Sequence, residues 1–114
     1  MNRHQNSDKI QELGCSMLAD VANGGPDART EIIHAGGCGA IVNAMEAHQT
    51  DSSVQIAAFG ALKVLSQDFQ CWFELERHGH MPIIHQTYAM HFGSAVLERE
   101  GAAILMNFSA HSTE

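Results

Sequence analysis

The chain has 114 residues, of which 45% are hydrophobic and 17% are charged, a balance typical of one folded domain. Its formal net charge of −7, with only six Lys and Arg, opposes a broad face for nucleic acid or an anionic membrane. Three Cys residues without CxxC spacing argue against a disulfide framework, and no apolar run reaches about 18 residues. We therefore expect a soluble protein of the cytoplasm or nucleus.

The predicted elements are all helices. Residues 1–6 are polar and are expected to be disordered, because they offer nothing to bury. A first helix then runs from residue 7 to about Ala22, where Asn-Gly-Gly-Pro stops it. Its core face is predicted to carry Ile10, Leu13, Gly14, Met17, Leu18 and Val21, which follow the 3.6-residue period. Two series of three helices follow, at 26–34, 38–48 and 53–66, and at 69–77, 81–91 and 94–110.

The chain repeats itself with a period near 43 residues. The apolar and small positions of the segment that starts at Val54 recur 44 residues earlier, from Ile10, and 43 residues later, from Leu97. A helical pattern with a period of roughly 40 to 47 residues is typical of stacked repeats, which bury their apolar faces only against one another. We therefore divide a domain at 7–114 into a partial unit at 7–25 and full units at 26–67 and 68–111.

Two segments of the first full unit resemble the armadillo repeat. They are Ile-x-x-Ala-Gly-Gly-x-Gly-Ala-Ile-Val at 32–42 and Val-Gln-x-x-Ala-x-x-Ala-Leu-x-x-Leu at 54–65. The resemblance covers nearly the whole chain and implies an all-α protein, an α-solenoid in which about two and a half three-helix units form a right-handed superhelix. HEAT repeats are the alternative, although their units generally have two helices and lack the Gly-Gly break. The repeats are also similar to those of large multidomain proteins, which implies that the chain is a segment of a longer one.

The resemblance also implies a binding surface for protein or peptide. In armadillo proteins the third helix of each unit lines a concave face that binds extended peptides, in some members through a Trp and an Asn four residues later. Only Asn107 matches this ladder, and small residues occupy its Trp positions, so we expect a scaffold that binds an extended segment or a helix. The expected partner-binding residues are Glu12, Ser16, Asp20, Ile56, Gly60, Lys63, Val64, Arg99, Ala103 and Asn107. Glu12 and Asp20 favour a basic partner near one end.

Two other functions remain open from the residues alone. His78, His80 and His85 are close enough in sequence to approach one metal ion, with Cys71 as a further zinc ligand; structural roles for these histidines are the competing interpretation. Alternatively, the chain is a structural segment that associates with another copy through apolar repeat ends.

Enzyme motifs are absent from the sequence, which contains no GxSxG, HExxH, GxxxxGK[ST] or GxGxxG. Gly36-Gly37-Cys38-Gly39 precedes a helix and could hold an anion there, but in a repeat it is better explained as a tight corner. Cys38 is expected to be partly exposed at that corner. We expect neither enzymatic activity nor a cofactor.

Overall fold

The computed structural model describes the backbone of residues 3–91 and 93–112 and the side chains of residues 13–91 and 93–112. Within those residues the chain is all-helical and contains no strand, which confirms the predicted class. The helices are α1 (Arg3–Ala22), α2 (Pro26–His34), α3 (Gly37–Ala47), α4 (Ser52–Leu65), α5 (Phe69–Arg77), α6 (Met81–Met90) and α7 (Ala95–Ser112). Six of them lie within two residues of the predicted bounds, whereas α1 begins at Arg3 rather than at residue 7. Residues 1 and 2 of the segment expected to be disordered lie outside the described residues.

The helix starts follow from local chemistry. Asp51 caps α4, because its extended backbone lets the carboxylate accept the Val54 N–H at 3.2 Å. Pro26 opens α2 and Pro82 lies in the first turn of α6, where a missing N–H breaks no helical hydrogen bond. These signals are local in sequence, which is why the helix bounds could be predicted from it.

The corner between α2 and α3 depends on two glycines. Gly36 has a φ of 86°, in the left-handed region that favours glycine. A Cβ on Gly37 would lie 2.8 Å from the carbonyl oxygen of Ile32, closer than non-bonded atoms approach. The predicted tight corner is confirmed.

The helices pack in a recurring order. The central helix α4 lies between α1 and α7, α3 packs on α6, and α2 packs on α5. Each of the helices from α1 to α4 therefore contacts the helix three places later in the chain. The molecule is elongated, with extents of 48 × 28 × 24 Å.

The core is centred on α4. Phe59, Leu62 and Leu65 are fully buried there, together with aliphatic side chains of the neighbouring helices. Leu18 and Leu105, the counterparts of Leu62 in α1 and α7, are partly buried against the same core. The expected shared environment of these three leucines is confirmed.

The predicted core face of α1 is partly wrong. Leu13, Met17 and Val21 are more than half exposed, whereas Cys15 and Ala22 are buried. Because α1 packs closely on α4, small side chains occupy that contact and the larger ones lie outside it. The helical period predicts that an apolar face exists, but α1 carries apolar residues on two sides. Of the predicted face, Leu18 packs against the core, and the side chain of Ile10 lies outside the described residues.

Gln55 is a buried polar side chain that joins α4 to the end of α3. It is 0% exposed, and its Nε2 donates to the carbonyl oxygens of Met45 at 3.1 Å and His48 at 2.8 Å. Carbonyls at a helix C-terminus have no intrahelical donor. The His48 carbonyl oxygen also accepts from the Asp51 N–H at 3.0 Å, whereas Gln55 supplies a donor to the Met45 carbonyl oxygen.

Replacing Gln55 with Met is expected to lower the free energy of unfolding by about 1–3 kcal/mol, because the buried Met45 carbonyl oxygen loses the Gln55 donor, whereas the His48 carbonyl oxygen keeps the Asp51 N–H. Urea denaturation followed by far-UV circular dichroism measures the loss. Gln70, exposed on α5, is the matched control, and Gln70→Met is expected to change stability by less than about 0.5 kcal/mol. Equal midpoints for the two variants would contradict this role for Gln55.

Candidate partner-binding surface

All ten predicted partner-binding residues lie on three adjacent helices, α1, α4 and α7. None of the nine whose side chains are described is buried, whereas the side chain of Glu12 lies outside the described residues. Within each helix they follow spacings of three or four, which place them along one side of it. We call the surface formed by these ten residues the α1–α4–α7 face.

Gly60 lies near the middle of the α1–α4–α7 face. A Cβ built on Gly60 has no atom within 4 Å, so the space above this part of α4 is open. At Gly101 on α7, by contrast, a Cβ would overlap the Tyr88 ring and lie 3.2 Å from Phe59 Cε2. Packing therefore explains the glycine at 101 but not the glycine at 60.

The charges on the α1–α4–α7 face differ from side to side. Asp20 is exposed on α1 and Arg99 is exposed on α7. Between them, Lys63 Nζ lies 3.0 Å from Glu100 Oε2, in an ion pair whose side chains are 41% and 16% exposed. Lys63 already has a partner, so among the described residues of the face Asp20 is the carboxylate on the α1 side and Arg99 is the cation on the α7 side.

Asn107, the residue that matches the armadillo ladder, is already engaged. Its Nδ2 donates to Ser66 Oγ at 2.9 Å, and Ser66 Oγ donates in turn to the Lys63 carbonyl oxygen at 2.9 Å. One amide N–H thus holds α7 against the end of α4. The second N–H and the carbonyl oxygen are the groups through which this side chain would contact a peptide.

Met106 belongs to the same region, although sequence reasoning missed it. It is 72% exposed, one residue before Asn107, and corresponds to Lys63 in the preceding unit. The sequence signal that could have identified Met106 is an apolar side chain at a repeat position where the preceding unit has the charged Lys63. A large exposed apolar side chain beside the predicted residues adds area that a partner can bury.

Three grooves lie elsewhere on the molecule. Two measure about 350 and 290 Å³, one between the two full units, beside Cys38 and His80, and one between α5, α6 and α7. A third, of about 380 Å³, lies beside α1 and α2. None of the ten predicted residues lines any of these three grooves. A ligand of the α1–α4–α7 face would therefore contact an open surface and not one of these grooves.

The histidines considered as metal ligands are not brought together. His78 and His80 line the groove between the units, whereas His85 lines the groove beside Trp72. Within the described part of the chain, no group of three or more His, Cys, Asp or Glu residues could hold a metal ion.

Other histidines contact backbone at helix ends. His91 Nε2 lies 2.6 Å from the Gln49 carbonyl oxygen, and His111 Nε2 lies 2.9 Å from that of Ser66. Each contact joins one full unit to the other, which is a structural role.

The expectation that Cys38 is partly exposed is wrong. Its side chain is buried, because Cys71 of α5 packs over the corner with its Sγ 2.8 Å from Cys38 Sγ. The hydrogen bond with Cys38, and then burial, raise the pKa of the Cys71 thiol above its ordinary value. Burial also raises the pKa of Cys15. The thiols of Cys15 and Cys71 therefore remain protonated at neutral pH and are poor nucleophiles.

Comparison with known proteins identifies no relative: no family model, no curated protein and no solved structure matches the chain. None of the helices in the described residues combines the length and the apolar character needed to cross a bilayer. The function must therefore be inferred from this chain's own surface.

Proposed function

We propose that this chain is an armadillo-type interaction scaffold, whose α1–α4–α7 face binds an extended segment or a helix of a partner protein. In this interpretation α1 is the third helix of a partial unit, and α2–α4 and α5–α7 are two full units of a right-handed superhelix. The chain would be a segment of a longer armadillo protein of the cytoplasm or nucleus.

The repeat interpretation is supported by two independent periodicities. The sequence recurs at about 43 residues, and the packing recurs at every third helix, as in α1 on α4 and α4 on α7. Units of a stacked repeat contact mainly their neighbours through equivalent elements. An all-helical chain without repeated units would have no reason to show both periods together.

The observation that carries the binding proposal is the open space above Gly60. A glycine in a helix interior costs about 0.5–1 kcal/mol relative to alanine, yet nothing packs on this one. The glycine leaves a low point between the exposed side chain of Ile56 and the partly buried side chain of Val64. A partner backbone can approach α4 closely there.

The shape and charge of the surface define the chemistry of the partner. An extended peptide of about 12 residues spans roughly 40 Å, which fits a molecule whose longest extent is 48 Å. The net charge of −7 favours a basic partner overall, and Asp20 on the α1 side favours placing its basic residues there.

The test uses displayed random peptides of about 12 residues, selected on the wild-type chain and then measured against Gly60→Trp. The indole would fill the open space, so we expect selected peptides to lose about tenfold or more in affinity. We also expect Lys and Arg to be enriched among them, and Asp20→Lys to reverse that enrichment. Because no atom lies within 4 Å of the new Cβ, Gly60→Trp is expected to leave the fold intact.

The matched control is Ala47→Trp, which adds the same indole at an exposed position of α3. It is expected to leave peptide affinity unchanged. Peptides that bind Gly60→Trp as tightly as the wild type, or that lose affinity equally for both variants, would exclude the α1–α4–α7 face as the binding site.

A further inference from the structure

The seam between the two full units contains a pair of cysteines, one from each unit. Cys38 lies in the first turn of α3 and Cys71 in the first turn of α5, and these two helices pack directly against each other. Their Sγ atoms are 2.8 Å apart. Since a disulfide bond is about 2.05 Å long, the two sulfurs need to approach by less than about 1 Å to form one.

The repeated pattern does not require a thiol at either position. The counterpart of Cys71 in the first full unit is Ala28, and the counterpart of Cys38 in the second full unit is Met81. Ala28 and Met81 are partly buried, and neither carries a thiol. Packing therefore explains an apolar side chain at each position, but it does not explain two thiols in contact.

Cys38 is the thiol that a small oxidant reaches first. It lies in the wall of the groove of about 350 Å³ between the units. Cys71 is 0% exposed, and neither Cys71 nor Cys15 lines any of the three grooves. A water molecule takes up about 30 Å³ in the liquid and hydrogen peroxide is only slightly larger, so the groove admits a peroxide. Because Cys38 is itself only 1% exposed, the reaction is expected to be slow.

We propose that Cys38 and Cys71 form a reversible disulfide when the protein is exposed to a peroxide, and that this bond links the two full units. The Cys38 thiol gives its proton to water in the groove, and the thiolate attacks one oxygen of hydrogen peroxide. The O–O bond breaks, the hydroxide that leaves recovers that proton as water, and Cys38 becomes a sulfenic acid.

The second step forms the bond between the sulfurs. Cys71 Sγ attacks Cys38 Sγ, the Cys71 proton passes to the departing hydroxyl group, and water is released. Two thiols and one hydrogen peroxide thus give one disulfide and two waters. The raised pKa of Cys71 keeps its thiol protonated and unreactive toward peroxide in solution, but its contact with Cys38 makes the second step intramolecular.

The disulfide changes how the two units are joined. In the reduced protein the seam is held by non-covalent contacts, such as the ion pair in which Arg29 Nε lies 3.0 Å from Asp68 Oδ2. The disulfide closes a loop between cysteines 33 positions apart, which restricts the unfolded chain and stabilises the folded one. In a reducing compartment such a bond is transient, so the stability of the seam follows the supply of oxidant.

The experiment exposes the full chain to hydrogen peroxide, alkylates the remaining thiols under denaturing conditions and digests the protein without reductant. Trypsin cleaves after Lys and Arg, which places Cys15, Cys38 and Cys71 in three different peptides, 10–29, 30–63 and 64–77. We expect 30–63 crosslinked to 64–77, from single chains whose intact mass has lost two hydrogen atoms. Dithiothreitol is expected to release both peptides.

The oxidised protein is also expected to unfold at a urea concentration higher by about 1 M or more than the reduced protein. Cys38→Ala and Cys71→Ala are each expected to abolish this difference. Dimedone, which traps sulfenic acids, is expected to label Cys38 in the Cys71→Ala variant. It is expected to leave Cys71 unlabelled in the Cys38→Ala variant.

The matched control is Cys15→Ala, which removes another buried cysteine and is expected to leave the crosslink intact. Because the peptide map is read on the wild type, the result does not depend on the folding of any variant. Peptides 30–63 and 64–77 that stay separate after oxidation would overturn the proposal. Disulfides that join different chains, or that engage Cys15 as often as Cys71, would overturn it as well.

Discussion

Replacing Phe59 with Ala is expected to lower the free energy of unfolding by about 3–5 kcal/mol. Phe59 is among the largest fully buried side chains, and it lies on α4, which packs against both α1 and α7. Its ring edge faces Gly101, where the absence of a side chain lets α7 approach. Truncation would leave a cavity at this contact, and neighbours held by two helices cannot collapse freely into it.

Urea denaturation followed by far-UV circular dichroism and by Trp72 fluorescence measures the effect. Trp72 lies on α5 and packs against the same core as Phe59, so both signals are expected to shift together to lower urea. The matched control is Phe73→Ala, because Phe73 is 40% exposed on α5. Truncation there is expected to cost less than about 1 kcal/mol. A Phe59→Ala variant as stable as Phe73→Ala would contradict a single core centred on α4.

The helices could be predicted from sequence because their signals are local. Gly36-Gly37 ends one helix and opens the next through backbone geometry alone, and Asp51 caps α4 from three residues away. The repeat spacing carried more distant information. It related Leu62 to Leu18 and Leu105, and the structure places all three against one core.

The sequence did not predict which residues of different helices contact one another. Phe59 occupies a variable position of the repeated pattern, so nothing in the sequence marked it as central to the core. Cys38 was expected to be accessible because nothing in the sequence shows that Cys71, 33 residues later, covers it. On α1, periodicity could not decide which of two apolar sides faces α4, because that choice depends on how closely the helices approach.

Prediction of the candidate surface from the sequence was limited in the same way. Repeat positions predicted which helices would carry it, and each described residue is at least partly exposed. They did not predict that Lys63 pairs with Glu100 or that Asn107 binds Ser66. Both contacts join side chains of different helices, whose orientation depends on packing. The polar groups available to a partner are therefore fewer than the sequence suggests.

Replacing Gly37 with Ala is expected to lower the free energy of unfolding by about 1–3 kcal/mol, although it adds only a methyl group. The new Cβ would overlap the Ile32 side chain and lie 2.8 Å from the Ile32 carbonyl oxygen. A backbone oxygen cannot rotate away as a flexible side chain can, so α2 and α3 would have to separate. Both helices pack against the second full unit, and the strain would reach that contact.

Gly39→Ala is the matched control, since it adds the same methyl group two residues later in the same helix. Its Cβ would lie 3.6 Å from His80 Nε2, an ordinary van der Waals distance, and alanine favours the helix by about 0.8–1 kcal/mol. The midpoints of thermal and of urea denaturation are therefore expected to fall for Gly37→Ala and to rise for Gly39→Ala. If Gly37→Ala matched or exceeded the wild type in stability, the close approach of α2 and α3 at this corner would be refuted, because helix propensity alone makes the two substitutions equivalent.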